Sequence, residues 1–165
     1  MSYSQVSKID QYIYLGGIPD PKDDSPNTIN NTINTPHKII NDLKIGTLIS
    51  FTGYPVKWKT SSNINRYHVV VQDDMNTNIS KFFSKAIEKI HRSVSQKRPV
   101  FIHCHAGMSR SVTVLAAYYI KYGIPGKRHP TVNQVLEYIG KNRPCIQPNA
   151  GFVKQLEYFY SHLKN

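Results

Sequence analysis

Apolar positions in this chain fall into short runs that alternate with helical stripes along most of its length. Tyr12-Ile13-Tyr14-Leu15 is rich in strand-favouring residues and stops at Gly16-Gly17, which predicts a strand. Thr47-Leu48-Ile49-Ser50-Phe51 and Pro99-Val100-Phe101-Ile102-His103 read as buried strands, and Tyr67 to Val71 as a further one. A short helix is expected over His37 to Lys44, with Ile39, Ile40 and Leu43 on one side. Ile79, Phe82, Phe83, Ala86, Ile87, Ile90 and Val94 stand at helical spacing, with lysines on the opposite face. Ser111 to Tyr122 is apolar on nearly every side, as a central buried helix is. Thr131-Val132-Asn133-Gln134 fits a capping box ahead of a helix carrying Val135, Leu136, Tyr138 and Ile139, which Pro144 ends. Phe152, Val153, Leu156, Phe159, Tyr160 and Leu163 mark a last amphipathic helix.

Two polar stretches interrupt this pattern and read as surface loops: Pro19 to Pro36, and Lys57 to Asn65. Neither is a linker long enough to divide the chain, so one domain over residues 1–165 is expected. Strands alternating with helices predict an α/β fold, a central mostly parallel sheet flanked by helices on both faces.

Composition narrows the classes of function. Hydrophobic residues make up 39% of the 165, enough for one core, yet no run of about eighteen apolar residues offers a membrane span. The opening MSYSQVSKIDQ has no apolar signal-peptide core, and two cysteines, Cys104 and Cys145, make no disulfide framework. An intracellular, cytoplasmic protein is therefore the expectation. Lysine and arginine total 21 against 10 acidic residues, a formal charge of +11. That surplus favours anionic partners such as phosphorylated substrates, nucleic acid or acidic lipid, or serves solubility alone. Seven histidines without paired ligand spacing, and two distant cysteines, imply no metal.

The chemistry is concentrated in Val100 to Leu115, VFIHCHAGMSRSVTVL. A buried strand runs into Cys104, and Arg110 then opens a buried helix. A loop entering a helix N-terminus aims successive N–H groups inward, and Gly107 permits the tight turn. This nest and the helix dipole together suit a dianion such as phosphate. Arg110 adds a planar fork that matches two phosphate oxygens. The same positive potential favours the Cys104 thiolate, placed beneath a bound phosphate for in-line attack.

His103-Cys104-x-x-Gly107-x-x-Arg110-Ser111 resembles the signature of cysteine-dependent protein phosphatases, and HCHAGMSRS looks most like their dual-specificity branch. Tyr12-Ile13-Tyr14-Leu15-Gly16, then Asp73 with Asn78-Ile79-Ser80, and the tail from Arg143 through Phe152 to Gln155-Leu156 resemble further family segments in the family's order. The polar loops before Pro36 and around Lys57 to Asn65 depart from that pattern.

The resemblance implies a protein-tyrosine-phosphatase-like fold and a two-step hydrolysis without cofactor. Its substrates would be proteins phosphorylated on tyrosine and serine/threonine. It implies Cys104 as nucleophile, Arg110 as phosphate clamp, Asp73 as general acid with Asp74 as competitor, and Ser111 as donor to the Cys104 sulfur. His105, Ala106, Gly107, Met108, Ser109 and Arg110 would form the phosphate loop, with His103 and Asn149 supporting it. RNA 5′-phosphates or phosphoinositides are the alternative substrates, although Ala106 and Ser111 depart from the RNA-directed pattern. A non-catalytic phosphate-binding module is the remaining reading. Cys145 reads as structural, with a reversible disulfide to Cys104 as the alternative.

Overall fold

A computed structural model describes residues 6–17, 40–56 and 63–163. Within them, β1 (Ser7–Asp10), β2 (Ile13–Gly17), β3 (Thr47–Thr52), β4 (Asn65–Val70) and β5 (Val100–Cys104) form one sheet in the order β1-β2-β5-β3-β4. β2, β5, β3 and β4 run parallel, and β1 folds back on β2 as an antiparallel edge. The parallel part matches the expectation. β1 does not, because Ser7-Lys8-Ile9-Asp10 offers a single buried apolar side chain, Ile9, and becomes a strand only through its pairing with β2. β2 starts at Ile13 rather than Tyr12 and runs on through Gly16 and Gly17.

The two-residue period of the strands splits their side chains between two faces. Ile13, Leu15, Ile49, Phe51, Val100 and Ile102 join the core under four helices. These are α1 (Phe83–Ser95), α2 (Arg110–Tyr122), α3 (Val132–Asn142) and α4 (Ala150–Leu163). The expected first helix residue, Ile79, precedes a 3-10 turn over Ser80–Phe82 that leads into α1. α2 is the central helix: it packs on α1, α3 and α4, and every residue from Arg110 to Ile120 is buried. The capping box at Thr131 is formed, its hydroxyl accepting the Gln134 N–H while the Gln134 side chain accepts the Thr131 N–H. Full burial of one large apolar side chain is worth about 1.5–3 kcal/mol, so this face fixes α2 firmly against β5.

Leu48 and Phe101 point to the other face and pack against Ile40 and Ile45. Residues 40–42 are helical and Lys44, with φ of 51°, ends the segment. Residues 37–39 of the helix expected there lie outside the described residues, as do the loop expected over Pro19 to Pro36 and residues 57–62 of the second. Asn65, expected in that second loop, opens β4. Among the described residues no helix is long and apolar enough to cross a membrane.

All four parallel strands end at the same edge of the sheet, where Gly17 lies opposite Cys104 and Ser50 opposite His103. In open parallel sheets the carboxyl edge is where ligands bind. A cavity of about 300 Å³ opens at the other edge, lined by Ile40, Lys44, Ile45, Gly46, Arg98 and Pro99 among others. It holds none of the residues singled out for chemistry. Lys44 and Lys97 in its wall follow helical segments at positive φ, and their backbone N–H groups donate to the Asn41 and Val94 carbonyls.

Candidate active site

Strand β5 delivers Cys104 to the carboxyl edge, buried to 2% exposure, and α2 begins six residues later at Arg110. Between them the backbone wraps over the sulfur. Gly107 carries φ of +67°, and a Cβ there would meet the Gly16 carbonyl carbon at 2.4 Å, so both conformation and space require glycine. Gly17 answers from β2: a Cβ on it would stand 2.7 Å from the backbone of His105 and of Ala106. The loop therefore rests backbone on backbone against the end of β2.

Three successive loop carbonyls are held from outside. Arg143, 3% exposed, donates from Nε to the Gly107 carbonyl at 2.7 Å and from Nη2 to the Ala106 carbonyl at 3.1 Å. The Gln147 N–H donates to the Met108 carbonyl at 2.8 Å. In a planar trans peptide the next residue's N–H points opposite to the carbonyl. The N–H groups of Gly107, Met108 and Ser109 are thus turned inward, and Gly107 N–H donates to Cys104 Sγ at 3.2 Å. Ser111 Oγ, from the first turn of α2, lies 3.1 Å from the same sulfur.

Arg110 closes one side of the bowl. Its Nη1 donates to the Val71 carbonyl at 3.0 Å, while its Nε is buried without a hydrogen-bond partner among the described residues. An orphaned buried donor costs about 1–3 kcal/mol, a cost that an anion in the bowl would remove. No further charge competes for this guanidinium in the described residues.

His103 is fully buried, with Nε2 2.5 Å from Ser50 Oγ and Nδ1 3.3 Å from the Cys104 carbonyl. Burial first, then the neighbouring His68 and Arg110 charges, pull its ring down to about 3 against the opposing hydrogen bond with the Cys104 carbonyl, so it is neutral near pH 7. Both ring nitrogens thus meet partners at the end of the sheet, Ser50 and the Cys104 carbonyl.

Asp73 and Asp74 part company in the fold. Asp73 Oδ1 accepts from Ser109 Oγ at 2.8 Å and from Asn149 Nδ2 at 2.8 Å, so this carboxyl is tied to the rim of the bowl. Asp74 turns away and caps its own turn, accepting from Thr77 Oγ1 at 2.7 Å and the Asn76 N–H at 2.9 Å. Those hydrogen bonds, Thr77 first, hold the Asp74 carboxyl below its ordinary range. Asn149 also caps α4, its Oδ1 accepting the Phe152 N–H at 2.9 Å, and its own N–H donates to Ser109 Oγ.

Cys104, Arg110, Ser111, Asp73, His103 and Asn149 are thus brought together with the loop residues His105 to Ser109. His105 is exposed at the rim, while Ala106 and Met108 are half-buried. Sequence reasoning missed Arg143 as a loop residue. It stands 36 residues from Gly107; the resemblance of the tail that it opens was the one signal marking it, and that signal does not say which carbonyls it holds. Cys145 and Cys104 are both free thiols.

Comparison with known proteins agrees with this geometry. Residues 29–162 match the family model described as "Dual specificity phosphatase, catalytic domain". "Dual specificity protein phosphatase 1" of Arabidopsis thaliana is 38% identical over 92 residues, 55% of this chain and 44% of that protein. "Dual specificity protein phosphatase 9" of Homo sapiens is 33% identical over 110 residues, 67% of this chain and 27% of that protein. The chain spans less than half the length of these curated relatives. The human tyrosine phosphatase-like serine/threonine/tyrosine-interacting protein superposes with a TM-score of 0.77 at 22% identity, covering 97% of this chain and 98% of that one. DUSP15 superposes with a TM-score of 0.71 at 27% identity, covering 94% and 86%. A family match over most of the residues, in the fold that carries this bowl, leaves one assignment: the chain belongs to the dual-specificity phosphatase family.

Proposed function

We propose that this protein, as one catalytic domain over residues 1–165, hydrolyses phosphomonoesters on tyrosine and serine/threonine of other proteins through a phosphocysteine. One observation carries the reading: the Cys104 sulfur lies under an inward-facing amide and a hydroxyl, beside an arginine whose buried Nε has no partner among the described residues.

In the first step the Cys104 thiolate attacks phosphorus and the bond to the leaving oxygen breaks, with the three equatorial oxygens held by the loop amides and Arg110. A serine, threonine or tyrosine oxygen leaves poorly as an anion, so it takes a proton as it departs. Asp73 supplies that proton. Its Oδ1 is anchored by Ser109 and Asn149, and Oδ2, which accepts no hydrogen bond among the described residues, is the oxygen offered to the leaving group. In the second step water attacks phosphorus, Asp73 accepts its proton, and the S–P bond breaks with its electron pair returning to sulfur. Ser111 Oγ–H and Gly107 N–H stabilise the departing thiolate. His103, Asn149 and Arg143 hold the frame. A thiol nucleophile of this kind works in a reducing, intracellular compartment, which the two free cysteines suit.

The test compares variants on two substrates. Cys104→Ser should abolish turnover of an aryl phosphate while inorganic phosphate still binds by calorimetry; unchanged turnover refutes the nucleophile. Asp73→Ala should slow a phosphopeptide by about 10²–10⁴-fold and an activated aryl phosphate far less. The same pattern from Asp74→Ala instead would move the acid. Parallel assays on triphosphorylated RNA and an inositol lipid should be weak; a large preference for either would overturn the protein substrate.

A further inference from the structure

The acid carboxylate is only as well placed as the segment that carries it, and that segment is seated on one turn of α4. Gly151 is the centre of the seat. Its φ is not positive, so conformation does not call for glycine, and a glycine inside a helix costs about 1 kcal/mol relative to alanine. Space does call for it. A Cβ on Gly151 would lie 2.1 Å from the Met75 carbonyl oxygen and 2.7 Å from Met75 C and Cα. These are backbone atoms two residues beyond Asp73, and no rotamer change can clear them.

Gln155, one turn further along α4, holds the same segment by hydrogen bonds. Its Oε1 accepts the Ile79 and Ser80 N–H groups, each at 2.9 Å, and its Nε2 donates to the Thr77 carbonyl at 2.8 Å. Asn149 reaches Asp73 itself. Asn149 at the cap of α4, and Gly151 and Gln155 one turn apart within it, therefore meet residue 73, residue 75 and residues 77, 79 and 80 in order. Between those contacts Asp74 ties its turn to Asn76 and Thr77, so the segment moves as a unit.

Resting on the assignment of Asp73 as the acid, we propose that Gly151 and Gln155 are positioning residues that set the height of Asp73 over Cys104. Neither touches the reacting atoms. A methyl group at 151 lifts the segment off α4 at Met75, and removal of the Gln155 amide frees its other end. Either change moves the Asp73 carboxyl relative to the leaving oxygen while the phosphate bowl, held by Arg143 and β2, stays as it was.

The experiment measures kcat and KM for Gly151→Ala, Gln155→Ala, Asp73→Ala and each double variant with Asp73→Ala. Substrates are a series of aryl phosphates of rising leaving-group pKa and a phosphopeptide. The expected result for both single variants is a steeper dependence on leaving-group pKa. kcat on the phosphopeptide should fall about 10–10²-fold, with the most activated aryl phosphate within about threefold of the parent and KM little changed. Each double variant should be no slower than Asp73→Ala alone. Equal loss across the series, or losses that multiply in the doubles, would overturn the positioning role. If Asp73→Ala itself leaves the dependence flat, the acid assignment fails, and this inference with it. Should Gly151→Ala lose its folded circular dichroism spectrum, Gln155→Ala decides, because it removes three hydrogen bonds and adds no clash.

Discussion

The site is made of two pieces held in opposite ways. The phosphate bowl is continuous in sequence, from Cys104 at the end of β5 to Arg110 at the start of α2, and its strut is a buried arginine. The segment that carries Asp73, the proposed acid, belongs to a connection after β4 and is fastened by Asn149, by Gln155 of α4 and by Ser109. Burial and covalent continuity make the first piece rigid without help from its ligand. The second is exact only while a short list of partly exposed hydrogen bonds persists. The bowl should accordingly tolerate little, and fail in both stability and chemistry. The acid segment should fail in chemistry first.

Arg143→Ala attacks the bowl at its strut and should have the largest effect. It strands the Gly107 and Ala106 carbonyls, and each buried group left unpaired costs about 1–3 kcal/mol. A drop of about 2–4 kcal/mol in unfolding free energy, measured in urea, should accompany loss of turnover on every substrate alike. Ser109→Ala cuts the loop side chain that reaches Asp73 itself. Turnover of a phosphopeptide should fall about tenfold, with the urea midpoint nearly unmoved and an activated aryl phosphate little affected.

Acid probes the bowl again, through His103. Its pKa is lowered to about 3 in the folded protein against an ordinary 6.5, so between those values the unfolded chain binds the extra proton. Stability must then fall as pH drops from 6.5 toward 3, with this one group contributing a slope of up to about 1.4 kcal/mol per pH unit. Urea midpoints across that range should flatten in His103→Asn. Asp74→Ala should do least: it loses an exposed turn cap, and kcat on a phosphopeptide should stay within about threefold of the parent. A loss as deep as that of Asp73→Ala would exchange the two roles.

The same contrast explains what could be read from the residues in order. The bowl is local, so the strand, Cys104, Gly107, Arg110 and the buried helix announce themselves within sixteen letters. Asp73 and Asp74 are adjacent and chemically alike, and only contacts with Ser109 and Asn149, 36 and 76 residues away, separate them. Arg143 and Gly151 stand in the tail segment that carries the resemblance, but what they do there is not legible in it, because their contacts lie across the fold, at Gly107 and Met75. β1 was hidden for a similar cause: one apolar residue in four makes no pattern until β2 is beside it.

In the proposed reaction the Cys104 sulfur takes the phosphoryl group. Ser111→Ala, which removes the hydroxyl 3.1 Å from that sulfur, should slow the second step more than the first and let the intermediate accumulate. Acid quenching of that variant during turnover of an aryl phosphate, followed by peptide mass spectrometry, measures it directly. The account predicts a phosphoryl group on the peptide bearing Cys104 and on no other. A phosphoryl group on Cys145 or on any histidine, with Cys104 unmodified, would contradict it.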